Sequence, residues 1–251
     1  WPRYVAPDAW EWCRDSIFGG DAKNARFEFD FGYDEKTKTF GLMDLKGKAY
    51  IADSNLRYIN TMPMVNNVYG VFSVTPTSIN IALDKAVSDG IMLSEGNVLI
   101  YDLDKYNNYI DIRLFSNSSI ADALKLIDHK PLEFTSQMGL HPEVIEGEAD
   151  TELGLKFELK KDLDYDDVNV TVNSKLHNVR IKDAVDGRPI TAKELELAVD
   201  NDGMSVKGDA EFDGIPLKIV SRPTSLTAAA IRLRLSWMPP APKSSAWITK
   251  C

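Results

Sequence analysis

The densest group of carboxylates in this 251-residue chain is Asp162, Asp164, Asp166 and Asp167. The alternate spacing of the first three is that of the leading ligands in a calcium loop. Such a loop also needs Gly at its sixth position and a bidentate Glu at its twelfth, where this chain carries Asp167 and Asn173. The match fails at both, so the cluster reads as a solvated acidic turn between strands. His129, His141 and His177 have no second His or Cys at ligand spacing, and no zinc site is expected. His129, at a helix end, suits the negative end of the helix dipole instead. No G-x-S-x-G elbow is present, and Ser88 precedes an Asp89-Gly90 turn without an assignable base. Neither phosphate-binding glycine pattern occurs. Asp102 and Asp104 alternate at a strand end and would face one side, a thin basis for a hydrolytic carboxylate pair. Trp1, Tyr4, Trp10 and Trp12 crowd the start, either as a sugar- or lipid-contacting platform or as rings packing a helix onto a sheet. No catalytic residue, metal ligand or cofactor is assigned, and the chain does not read as an enzyme.

Composition narrows the partners. A net charge of −9 disfavours nucleic acid and electrostatic docking on anionic headgroups, so any lipid contact must be apolar. With 44% hydrophobic and 27% charged residues the chain is an ordinary folded one. Cys13 and Cys251 lie near opposite ends, with no C-x-x-C arrangement. No apolar run reaches the roughly 18 to 20 residues a spanning helix requires. The first residue is Trp1, not Met, which leads to the expectation that the chain is a piece of a longer protein.

What the sequence does carry is period-two alternation. Leu153, Leu155, Phe157 and Leu159 point one way while Glu152, Lys156, Glu158 and Lys160 point the other. The same pattern holds in Phe27, Phe29 and Phe31; Ile79, Ile81 and Leu83; Ile110, Ile112 and Leu114; Val168, Val170 and Val172; and Leu195, Leu197 and Val199. Strands are expected over 24–31, 40–51, 70–74, 78–83, 86–93, 97–103, 109–115, 144–159, 168–172, 176–181, 195–199, 204–212 and 216–220. Turns are expected at Pro76-Thr77, Asp89-Gly90, Glu95-Gly96, Asn107-Asn108, Asp202-Gly203 and Asp213-Gly214. Two short helices complete the reading, one over Pro7 to Phe18 stopped by Gly19-Gly20, the other capped by Ser118 or Ser119 and running to about Asp128. The expected fold is mainly β: an elongated, curved, groove-like antiparallel sheet of sequential hairpins over 1–220, with a possible subdivision near 118–142. Residues 221–251 lose the alternation and read as a loose tail.

Several phrases also resemble a known family. Trp1-Pro2, the helix ending in Gly19-Gly20, DAKNARF over Asp21 to Phe27, LKGKAYIADSNLRYINTMPMVNNVYGVFSV over Leu45 to Val74, and DALKLIDHKPL over Asp122 to Leu132 are similar to the AsmA-like proteins, closest to the YhdP family of Gram-negative bacteria. The hairpins around Asp202-Gly203 and from Gly208 to Leu217 fit as well. That resemblance implies a bridge-like periplasmic carrier, anchored in the inner membrane by a segment outside this chain and open to other envelope proteins as partners. Its groove would pass phospholipid acyl chains toward the outer membrane. The alternating Phe, Ile, Leu and Val rows named above are then the candidate groove lining. Physically, each buried methylene gains about 0.8 kcal/mol, so a chain of about sixteen carbons gains on the order of 13 kcal/mol before ordering costs. The same rows would serve a closed β-sandwich, and a structural or adhesive module binding protein or carbohydrate is the alternative from another class.

Overall fold

The computed structural model describes residues 11, 14–58, 61–130, 135–136, 141–160, 163–221 and 233–237. Its strands are β1 (Ile17–Phe18), β2 (Asp21–Asp34), β3 (Thr39–Leu56), β4 (Val65–Val74), β5 (Ser78–Ser88), β6 (Ile91–Tyr101), β7 (Tyr109–Ser119), β8 (Ile145–Glu158), β9 (Asn169–Val185), β10 (Arg188–Asp200), β11 (Gly203–Phe212), β12 (Ile215–Ser221) and β13 (Leu233–Trp237). From β3 to β13 each strand pairs antiparallel with its successor in sequence, and the path is open at both ends. Helix α1 (Ile120–Leu126) is inserted between β7 and β8, which still pair directly from Tyr109↔Glu158 to Ser119↔Glu148. A mainly β, open antiparallel meander is thus what the alternation and turn chemistry specify.

β1 and β2 together form one edge. Ile17 pairs with Leu56, Phe18 with Asn55 and Asp21 with Ala52, so the register is unchanged across Gly19-Gly20. These glycines therefore continue a strand, where the sequence suggested the stop of a helix ending at Phe18. Gly20 sits at φ +81°, and a Cβ there would lie 2.7 Å from Ser54 Cα. Helical backbone is present at Glu11 and Arg14–Ser16, while residues 7–10, 12 and 13 lie outside the described residues.

The strands are longer than the alternation suggested because bulges interrupt it. Register shifts fall between Lys23 and Arg26, Ile51 and Ser54, Asn66 and Tyr69, Leu93 and Glu95, Glu146 and Glu148, and Thr191 and Leu195. Asn24, Asp53, Asn67 and Asn178 take positive φ near these sites, a conformation Asn and Asp tolerate best among non-glycine residues. Asn67 Nδ2 donates to Asp53 Oδ1 at 2.8 Å, locking two adjacent bulges together. Glu95-Gly96 consequently lies inside β6 rather than at a turn, and the runs expected at 168–172 and 176–181 belong to one strand, β9. Bulges bend strands and deepen their twist, which is how a single sheet curls. Five residues of the segment read as a tail form β13 on β12.

Candidate functional site

Cross-strand partners share a face, so the register converts the alternation into continuous transverse rows. One row runs Phe27, Gly47, Val74, Ile79, Ile100, Ile110, Phe157. The next runs Ala49, Phe72, Ile81, Val98, Ile112, Leu155, Val170. A third runs Ile51, Gly70, Leu83, Gly96, Leu114, Leu153, Val172, Val199, Met204. All three lie on one face. The opposite face carries Lys46, Asp111, Lys156, Lys175, Glu196 and Lys207, with exposed pairs such as Lys207–Glu196 at 2.8 Å and Lys182–Glu146 at 2.7 Å. Such pairs add little stability and mainly keep that face wet.

Burial along the apolar face is graded. Ile100 and Ile110 are 0% exposed, and they join Leu45, Val74, Ile79, Ile81, Val98, Ile112, Phe157, Val168 and Val170 in one packed cluster. No second sheet covers these residues, so the sheet must curl over its own apolar face. Leu103, from the β6–β7 loop, is part of this cluster, and Leu159 and Leu163 pack against it from the β8–β9 connection. At the other ends of the strands α1 joins two further clusters. Ile120 and Leu124 pack with Ala149, Leu176 and Leu195, while Leu126 packs with Val65, Ile91 and Leu93. The α1 N-terminus is set by Ser119, whose Oγ accepts from Asp122 N at 3.0 Å and donates to Asp122 Oδ2 at 2.8 Å. That hydroxyl, followed by Lys125, holds the Asp122 carboxyl below its ordinary range. Thr135 Oγ1 donates to Leu124 O at 2.7 Å, and Thr61 Oγ1 donates to Lys130 O, tying the segment after α1 back to the helix and to the β3–β4 loop.

The groove candidates therefore occupy three environments. Ile79, Ile81, Leu83, Ile110, Ile112, Phe157, Val168, Val170 and Leu195 are buried against protein. Leu114, Leu153, Leu155, Leu159, Val172, Leu197 and Val199 are half-buried. Phe27, Phe29 and Phe31 are 46%, 51% and 59% exposed on edge strand β2, their rings stacked at 6.4 Å spacings, with Tyr33 and Phe40 extending the patch. Gly47 leaves room for this ladder: a Cβ there would sit 2.4 Å from the Phe27 ring. Sequence reasoning missed Phe72, Val98, Ile100, Leu176 and Val206, whose alternation is broken by bulges or shared with short runs.

Residues considered for other chemistry are scattered. Asp102 is in the β6–β7 turn, bound to Lys105 at 2.7 Å, and neither it nor Asp104 lies on a strand as the pair hypothesis needed. Asp167 is taken by Lys160 at 2.7 Å and by the Asp164 amide at 3.0 Å. Asp162 lies outside the described residues, as do Trp1, Tyr4, Trp10 and Trp12. His177 contacts Asp150 at 3.1 Å, His129 contacts Asp89 at 3.8 Å and His141 contacts Glu143 at 3.5 Å, three separate places. Among the described residues no three His, Cys, Asp or Glu groups converge as a metal site. A depression of about 720 Å3 crosses β9–β12. Val179, Ala192 and Ala210 turn their buried side chains away from it, so it opens on the polar face between Arg180, Thr191, Glu211 and Lys193, Asp209, Lys218.

A family model described as the YhdP protein matches residues 1–235. The chain belongs to the YhdP family. That match takes in the whole meander through most of β13, and the family is one of transport or structural proteins, not of enzymes. No curated protein and no solved structure matches the chain. No helix among the described residues of this YhdP-family chain is long and apolar enough to cross a membrane.

Proposed function

We propose that this chain is a section of a bridge-like lipid carrier of the bacterial periplasm, anchored to the inner membrane elsewhere in the intact protein, whose curled sheet conducts phospholipid acyl chains along its apolar face. One observation supports this above the rest. The apolar rows run unbroken across the strands and reach an open edge, where Phe27, Phe29 and Phe31 remain about half exposed instead of being covered. A sheet built only to fold would bury or charge such an edge. Rows repeated from strand to strand offer an acyl chain nearly equivalent neighbouring positions, which favours sliding over trapping. Membership of the YhdP family points to the cell envelope.

The test is native mass spectrometry with organic extraction of the full chain expressed in a Gram-negative host. Near-stoichiometric phospholipid is expected, with loss of most of it in the Phe29→Asp/Phe31→Asp variant. A folded, lipid-free wild-type chain would refute the proposal.

A further inference from the structure

Hydroxyl groups on the apolar face are gathered in one place. Ser116, Thr151 and Ser174 are direct partners across β7, β8 and β9. Leu93 pairs with Ser116 at one end of this row and Leu197 with Ser174 at the other. The Leu114, Leu153, Val172 row lies on one side. On the other side lie Ser118, Ala149 and Leu176. Ser174 Oγ donates to Asp150 O at 3.2 Å, so the 2.8 Å contact between Thr151 and Ser174 is a donation by Thr151. Ser116 then has its O–H free, making no hydrogen bond to the described residues. Ser88, opposite Ile91 on the same face, is only 4% exposed and its hydroxyl has no hydrogen-bond partner. A buried hydroxyl without a partner costs free energy that Ala or Val would not, so packing alone does not account for this group. The α1 contacts bracket it, with Leu126 against Ile91 and Leu93 and with Ile120 and Leu124 against Ala149 and Leu176.

Resting on the reading of the trough as an acyl carrier, we infer that this hydroxyl row seats the ester linkage of a diacyl lipid, with Ser116, and Ser88 beside it, donating to ester carbonyl oxygens while the acyl chains lie along the flanking apolar rows. An ester carbonyl accepts hydrogen bonds and offers no donor, and a neutral hydroxyl meets it without the desolvation cost of a charged group. The row makes one position along the trough deeper than its neighbours, so a lipid pauses there.

The experiment is displacement of a pyrene-labelled fatty acid from the full chain by a diester phosphatidylcholine and by its dialkyl ether analogue of equal chain length. One or two neutral hydrogen bonds predict that the ester binds about two- to tenfold more tightly. Ser116→Ala/Thr151→Val should erase that preference and leave ether affinity unchanged, whereas Ser116→Thr, which keeps the hydroxyl, should retain it. Equal affinity of the wild type for both lipids, or a preference that survives the double substitution, overturns the ester site and leaves the trough standing. Failure of either lipid to displace the probe overturns both.

Discussion

Phe157 and Phe29 lie on the same face of the sheet, yet the fold gives them opposite work. Phe157 is 6% exposed and belongs to the packed cluster with Ile100 and Ile110. Truncating it to Ala removes a buried ring and leaves a cavity, at about 3–5 kcal/mol. For a chain of this size that corresponds to roughly 6–20 °C in Tm. Phe29 is 51% exposed at the edge. It gains about half of the 1.5–3 kcal/mol expected for full burial, so Phe29→Asp costs roughly 1 kcal/mol while placing a charge in the lipid path. Urea unfolding followed by quantification of co-purified phospholipid separates the two. Phe157→Ala should lower the unfolding midpoint strongly and retain lipid in the fraction that remains folded. Phe29→Asp should leave the midpoint nearly unchanged and deplete lipid several-fold. Undiminished lipid in folded Phe29→Asp would show that the exposed ladder is not part of the path, and a stable, lipid-free Phe157→Ala would show that the packed cluster is itself the groove.

Three further outcomes are expected. Burial pushes the Tyr58 hydroxyl up to about 12, so its contribution is complete below the unfolded value near 10 and is lost as pH rises toward 12. Over that interval about 2–3 kcal/mol should disappear, and Tyr58→Phe should flatten the difference when midpoints are compared across pH. Gly70→Ala would place a Cβ 2.3 Å from Ala82 O, a backbone atom of the paired strand, and should cost about 1–3 kcal/mol in chemical denaturation. Ser119→Ala removes the α1 cap and one support of the Asp122 carboxylate. A loss of about 0.5–2 kcal/mol is expected near neutral pH. The lowered Asp122 value means this contribution falls away on acidification, so wild type and variant should converge at low pH.

The faces of the strands were legible in the sequence because period two is a local property: Leu153 to Leu159 and Ile110 to Leu114 need only their own neighbours to declare a side. The cap at Ser119 was legible for the same reason. Strand lengths were not, because Asn67, Asn178 and the Glu95-Gly96 step shift the side-chain phase inside a strand, and a phase change looks like a boundary when the partner strand is unknown. The candidate lining was only partly legible. Alternation reports which face a side chain takes and is silent on what covers it, so Ile110 at full burial and Phe29 at half exposure share one pattern. The hydroxyl row could not be seen at all, since Ser116, Thr151 and Ser174 become neighbours only through the registers of two strand pairs.

Register also explains why a single sheet can hold a core and still leave a path. Where loops fold inward, Leu103 completes a packed cluster around Ile100 and Ile110, and the sheet gains its stability there. Farther along the same rows, Leu155, Val172, Leu197 and Val199 are half-buried, and on β2 the face ends in rings that nothing covers. Stability and an open apolar surface are therefore supplied by different stretches of the same rows. Charge on Leu197 or Phe29 should accordingly alter lipid content first, while charge on Ile110 should unfold the chain before any effect on lipid is measurable.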